Sequence, residues 1–242
     1  MKNNILYIQD CWKKCGNSYC CTNNHEDFNF SFIKKNSTEI IYTPREYLKF
    51  ESTKKTFNNQ FSKKPKIVKI DIGDFYIGVI YTRCDLKGLC SNIIDKPLLC
   101  DLYPYLPHYD DNLLVKSYGK ASVFDKVFET INTRSPCAID NIPQKDDIYN
   151  SFDSYIKFYI QVANIYLENM SSEILKSPLI KHTGKNFWEK WELHYLTGKL
   201  FNKEKFISKI KSEYLKFKNK DKNFTLEEES RRINEVEEII KG

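Results

Sequence analysis

KIVKIDIGDFYIGVIYTRC, residues 66–84, decides how this chain is read. Residues 66–72 and 75–81 are two runs rich in β-branched and aromatic side chains, and Gly73-Asp74 between them supplies turn chemistry. The pattern predicts a β-hairpin. Its second strand runs directly into Cys84, which opens the segment RCDLKGLCSNIIDKPLLCDLYP. A hairpin that delivers a thiol into a loop punctuated by cysteine and proline points to a small sheet built beside a cysteine-based centre.

Outward from the hairpin, the N-terminal side is irregular. Residues 1–25 hold four cysteines in a short segment. Residues 26–33 (EDFNFSFI) alternate polar and apolar positions, as a short strand does. Residues 43–50 (TPREYLKF) read as a short helix with Thr43 as N-cap and Pro44 at the first helical position. Residues 52–66 are basic and polar and read as a surface loop. On the C-terminal side, residues 121–131 suit a short helix, and Pro136 and Pro143 bracket another cysteine-bearing loop.

From about residue 150 the character changes, and no cysteine follows Cys137. Residues 151–170 predict a helix. Phe152, Tyr155, Ile156, Tyr159, Ala163, Tyr166, Leu167 and Met170 share one face, and Phe158, Ile160, Val162 and Ile165 imply burial on more than one side. Further helices are predicted near 186–200 and 203–218. A last one, in TLEEESRRINEVEEIIKG, carries a capping box from Thr225 and Glu228. The fold class expected is α+β: a small hairpin and irregular cysteine-rich loops around a metal centre, with a helical C-terminal region. The division expected is a cysteine-cluster metal-binding domain at 1–145 and a helical region at 146–242 packed on it.

The chain has 242 residues, 41% of them hydrophobic, so a sizeable core is available without help from metal. The formal charge of +6 comes with well-mixed acids and bases, and the Lys, Asn and Ile load matches an AT-rich codon bias. The start, MKNNILYIQDC, lacks the run of roughly seven apolar residues of a secretory signal. No stretch approaches the ~18–20 apolar residues of a membrane helix; FYIQVANIYL at 158–167 is broken by Gln161 and Asn164. The expected compartment is a reducing cytoplasm, where clustered cysteines are metal ligands or redox groups rather than disulfides.

The eight cysteines fall into groups. Cys11, Cys15, Cys20 and Cys21 form C-x-x-x-C-x-x-x-x-C-C; Cys84, Cys90 and Cys100 form the second group; Cys137 stands alone in TRSPCAID. Short loops between thiols bring several to one metal at small entropic cost. Eight thiolates fill two four-coordinate sites or one polynuclear centre. Cys20 and Cys21 are adjacent, and neighbouring side chains of an extended chain point to opposite sides, which suits paired centres. Lys13, Lys14, Arg83, Lys87 and Lys96 lie within a few residues of the thiols and offset thiolate charge.

The pattern resembles the YkgJ-type cysteine-cluster proteins, described as zinc- or iron-chelating domains. That family carries C-x-x-C-x-x-x-C-C, then a C…L…C…Y…RP…C…YP block, and often a CPG-like cysteine. Cys11, Cys15, Cys20 and Cys21 match the first block with longer gaps. Cys84, Leu86, Cys90, Pro97, Cys100, Tyr103 and Pro104 match the second, and Cys137 after Pro136 is similar to the third. This chain departs at Ile94, Lys96 and Ala138, where the family has Tyr, Arg and Pro. The resemblance spans about residues 8–140 and implies metal binding through all eight cysteines. A relative, the flagellin lysine methylase type, shares the cluster, but no glycine-rich methyl-donor loop supports that activity here.

Four-thiolate sites suit both iron–sulfur clusters and zinc, and iron–sulfur, as a 4Fe–4S centre or two centres, is preferred. Of the four histidines, His25, His108, His182 and His194, the first two lie near the cysteine motifs and are candidate further ligands or proton shuttles, with a surface or hydrogen-bonded role the simpler reading. Pro97, Tyr103, Pro104, Tyr105 and Pro107 read as a stiff loop holding Cys100, and Asp85 and Asp101 flank ligands as potential supporting partners. The basic stretches at 54–69 and 199–222 are the candidate nucleic-acid surfaces, but in the latter Phe201, Phe206, Tyr214 and Phe217 fall at helical spacing, which core packing explains better. No nucleotide loop, nucleophile elbow or H-E-x-x-H helix is present. The expected function is a cytoplasmic metal-binding protein for redox, sensing or metal handling. The alternatives are a metal-dependent enzyme that modifies a peptide or protein, and an interaction module with structural zinc. A protein or peptide partner is possible under each; nucleic acid and membrane are not expected.

Overall fold

The computed structural model describes residues 38–53, 65–84, 97–102, 104–121, 145–176 and 201–242. The hairpin is present. Strands β2 (Lys66–Asp71) and β3 (Tyr76–Cys84) pair antiparallel, from Asp71 opposite Tyr76 to Lys66 opposite Tyr81. The turn is closed by Ile72 N–H to the Phe75 carbonyl at 3.1 Å and by Gly73 N–H to Asp71 Oδ1 at 2.8 Å. Gly73 takes φ +110°, a conformation that a side chain disfavours.

A strand before the hairpin completes the sheet. Strand β1 (Thr38–Tyr42) pairs antiparallel with β3, with Thr38 opposite Cys84 and Tyr42 opposite Ile80, so the order is β1-β3-β2. It leads into helix α1 (Pro44–Thr53), which begins at Pro44 as expected. The expected strand at 26–33 and helix at 121–131 lie outside the described residues, as do most of the 52–66 loop and the helix at 186–200.

Side chains alternate across β3, so it faces two cores. Ile77 and Val79 meet the larger cluster, formed with Phe158, Ile210, Phe217 and Leu226. Ile80 meets the smaller one, with Tyr42, Tyr47, Phe50 and Val236. Between them, Gly78 lets helix α6 (Leu226–Lys241) come close: a Cβ at Gly78 would sit 2.5 Å from Ile233 Cγ1.

Next along the chain come helix α2 (Leu98–Leu102) and strands β4 (Tyr105–Tyr109) and β5 (Val115–Lys120), which form a separate two-stranded antiparallel sheet. This corrects the expectation of a stiff loop through Pro97, Pro104, Tyr105 and Pro107. Proline lacks an N–H, yet a two-stranded sheet is all edge and tolerates it; Pro107 lies within β4, opposite Tyr118. The connecting turn is held by Asp110, whose Oδ1 accepts the N–H groups of Asn112 at 2.8 Å and Leu114 at 3.0 Å.

Helix α3 (Asp146–Asn150) leads to α4 (Ser154–Lys176), then α5 (Lys203–Lys220) and α6. The long helix starts three residues later than expected because Asp153 caps it, accepting Ile156 N–H at 2.9 Å. It is buried on both sides, as its sequence implied: Phe158, Tyr159 and Val162 enter the larger core, and Ile160 and Leu167 pack against β4 residues. Helix α5 buries Phe206, Ile210, Tyr214 and Phe217, a single stripe. Thr225 caps α6 as read, accepting Glu228 N–H at 3.5 Å. The observed class is α+β with a helical C-terminal region.

Gln161 and Asn164, which interrupt the apolar run 158–167, form a polar row with Lys157 at i, i+4 and i+7. Lys157 Nζ donates to the carbonyls of Leu113 (2.9 Å) and Asn150 (2.8 Å), Gln161 to that of Tyr109 (3.3 Å), and Asn164 to that of Pro107 (2.9 Å). Side chains of α4 thereby supply donors to β4 and its turn where another strand would otherwise stand. Among the described residues no helix is long and apolar enough to cross a membrane.

Candidate metal centre

Two of the eight cysteines lie on described elements. Cys84 is the last residue of β3, and Cys100 is the third residue of α2. Cys11, Cys15, Cys20, Cys21, Cys90 and Cys137 lie outside the described residues, as do Asp85, Tyr103, His25, His182 and His194.

One continuous segment, residues 38–46, ties the two cysteine-bearing elements together. At its start, Thr38 stands opposite Cys84 in the β1–β3 ladder. At its end, Thr43 and Glu46 form a capping box: Glu46 Oε2 accepts Thr43 N–H at 2.9 Å, and Thr43 Oγ1 accepts Glu46 N–H at 3.2 Å. The second carboxylate oxygen reaches further. Glu46 Oε1 accepts the backbone N–H of Leu98 at 2.6 Å, across 52 residues of sequence.

That bond has a physical reason. The first N–H groups of any helix lack intrahelical partners. In α2 the residue before the helix is Pro97, whose carbonyl accepts the N–H groups of Cys100 at 2.9 Å and Asp101 at 3.0 Å. Proline has no side-chain oxygen with which to cap the N–H of Leu98. Glu46 supplies the oxygen instead. Burial pushes the Glu46 carboxyl above the ordinary glutamate value, while the N–H groups of Thr43 and Leu98 pull it back.

Cys100 is partly buried and packs against the smaller core, which contains Tyr42, Tyr47, Phe50, Ile80 and Val236. Both described cysteines are thus referenced to the same sheet. Asp101, beside Cys100, is partly buried in α2. His108 stands in β4 opposite Ser117, its imidazole against Gly119, where a Cβ would lie 2.4 Å from Nε2. Lys120, buried on β5, places its ammonium 4.6 Å from the centre of the Tyr105 ring.

Among the described residues no group of three or more His, Cys, Asp or Glu is placed to hold a metal ion. Of the two cysteines on described elements, the thiol of Cys100 is a described donor whose chemistry suits an iron–sulfur or zinc thiolate site. The residue that sequence reading missed is Glu46. Its signal was present, since T-x-x-E at 43–46 is the capping-box pattern also read at Thr225 and Glu228. Its second role, capping a helix 52 residues away, has no local signature. No family model, no curated protein and no solved structure matches the chain.

Proposed function

We propose that this chain holds a metal–thiolate centre, iron–sulfur in preference to zinc, that serves redox chemistry, sensing or metal handling in a reducing cytoplasm. The ligands are Cys11, Cys15, Cys20, Cys21, Cys84, Cys90, Cys100 and Cys137. The observation that carries the reading is the bracket formed by residues 38–46, which ties the strand ending in Cys84 to the helix bearing Cys100. The resemblance to YkgJ-type cysteine-cluster proteins supports the same ligand set.

Two centres are preferred to one, because neighbouring side chains of an extended chain point to opposite sides, so the adjacent Cys20 and Cys21 would serve one centre each.

The test is metal analysis of the full chain purified without air. The expected result is stoichiometric iron and acid-labile sulfide with broad absorbance near ~400 nm. A colourless protein with tightly held zinc would keep the thiolate centre and remove the iron–sulfur assignment. A metal-free protein with eight reduced thiols would overturn the proposal.

A further inference from the structure

We infer that Glu46 is a positioning residue for the Cys100 thiolate, acting through the first backbone N–H of α2; the inference rests on the metal–thiolate reading above. Helix α2 spans only Leu98–Leu102, too short to hold its own orientation by intrahelical bonds. Its start is fixed from outside. Pro97 is buried, and the Glu46 carboxylate holds the Leu98 N–H, two residues before Cys100. Glu46 is itself fixed, because its other oxygen is bound to Thr43 N–H at the first turn of α1. A rigid path therefore runs from β1 through Thr43 and Glu46 to the residue that carries the ligand. Outer residues that orient a ligand are worth roughly 10–100-fold in metal affinity, and Glu46 fills that role although it touches neither the thiol nor the metal.

The chemistry at Glu46 is demanding. Both oxygens accept backbone N–H groups, so both must be acceptors. A glutamine at this position has one acceptor and would turn an NH2 toward an N–H. An aspartate is shorter by one methylene and cannot span both partners.

The experiment uses the full chain, loaded without air, in the wild type and in Glu46→Gln, Glu46→Ala and Thr43→Ala. Release of metal to a chelator is followed by the loss of cluster absorbance, or by a zinc indicator if the metal is zinc, with far-UV circular dichroism recorded in parallel. Thr43→Ala is the control: it removes a cap from α1 and leaves the Glu46–Leu98 bond. The expected result is release about tenfold faster in Glu46→Ala and Glu46→Gln, with the absorbance band of the remaining metal altered, and less than about twofold change in Thr43→Ala. If Glu46→Ala fails to fold, Glu46→Gln decides. Release from folded Glu46→Gln at the wild-type rate, or the same acceleration in Thr43→Ala, overturns the inference while leaving the metal centre intact. A wild-type chain that binds no metal fails one step earlier and removes the reading beneath it.

Discussion

The hydroxyl of Tyr159 stands between the carboxylate of Glu229 and the carbonyl of Gly78, hydrogen-bonded to the first and 3.0 Å from the second. A phenol has one proton and here meets two acceptors. The arrangement is fully satisfied when Glu229 is protonated: Glu229 then donates to Tyr159, and Tyr159 donates to Gly78. Glu229 is 1% exposed, and its Oε2 has no hydrogen-bond partner among the described residues. Arg232 approaches only to 3.8 Å, and Tyr155 and Glu228 are the other groups facing it. Burial accordingly pushes the Glu229 carboxyl above its ordinary value of 4.5, against the pull of the tyrosines and Arg232.

The consequence is a pH dependence of known sign. A carboxyl raised in the folded state contributes stability that is fully present below the unfolded value of 4.5 and is lost as pH rises through the folded value. Glu229→Gln keeps the shape of the neutral acid and removes the titration. Chemical denaturation should find the variant and the wild type nearly equal at pH 4, with the variant gaining relative to the wild type as pH rises toward 8. Each unit by which the carboxyl is raised corresponds to about 1.4 kcal/mol. A gap independent of pH would show that the Glu229 carboxyl titrates alike in the folded and unfolded chain. Tyr159→Phe, which strands the Glu229 carboxyl and the Gly78 carbonyl, should cost about 1–3 kcal/mol.

Gly78 is a contact residue rather than a flexible one. It lies in the central strand with a negative φ, and a Cβ there would fall 2.5 Å from Ile233 Cγ1 and 2.8 Å from Ile233 Cδ1. Gly78→Ala should therefore destabilise the chain by about 1–3 kcal/mol through overpacking, despite alanine's better strand entropy. Ile233→Ala alone should cost about 2–5 kcal/mol. In the double variant the two should not add, because the truncated residue leaves room for the new methyl; a double-mutant cycle by urea denaturation measures this. Strict additivity would place α6 further from β3 than the structure does.

The polar row on α4 gives a third test. Lys157 is 7% exposed and donates to two carbonyls, and burial pushes its ammonium below the ordinary lysine value. Lys157→Met preserves bulk and removes both hydrogen bonds. Leaving Leu113 and Asn150 carbonyls without that donor should cost about 2–4 kcal/mol, read as a lower urea midpoint. Asn164→Leu should likewise cost about 1–3 kcal/mol, because the Pro107 carbonyl loses its donor. If either substitution is stabilising, the row is ordinary core that happens to be polar.

The elements legible in the sequence were those with local signatures. The 66–81 hairpin, the start of α1 at Pro44, the stripe of α5 and the Thr225 cap each depend on side chains a few residues apart, and each is present. Strand β1 is five residues long and takes its identity from pairing with β3, so TEIIY by itself carries little signal. Strand β4 was read as loop because prolines dominate its neighbourhood, and its missing donors come from α4, some 50 residues on. The cysteine groups were legible as spacing. The Glu46–Leu98 bond was not, because it joins positions that no periodicity relates.

The two-centre reading leads to a stoichiometric prediction for Cys84 and Cys100. If the two serve different centres, each substitution to serine should disturb one centre and leave the other. Cys100→Ser should then retain about half the wild-type metal, and Cys84→Ser about half as well, with the double substitution losing nearly all. A single polynuclear centre would behave differently, since the loss of either thiolate would unseat the whole assembly and the double variant would be no worse than the singles. Serine at position 100 also removes a thiol that packs on Tyr42, Tyr47 and Val236, so some stability is lost through packing alone. Metal content per folded chain, measured after gel filtration without air, separates the two effects: packing loss lowers the yield of folded protein, whereas ligand loss lowers the metal it carries. Full metal content in both single variants would remove Cys84 and Cys100 from the ligand set.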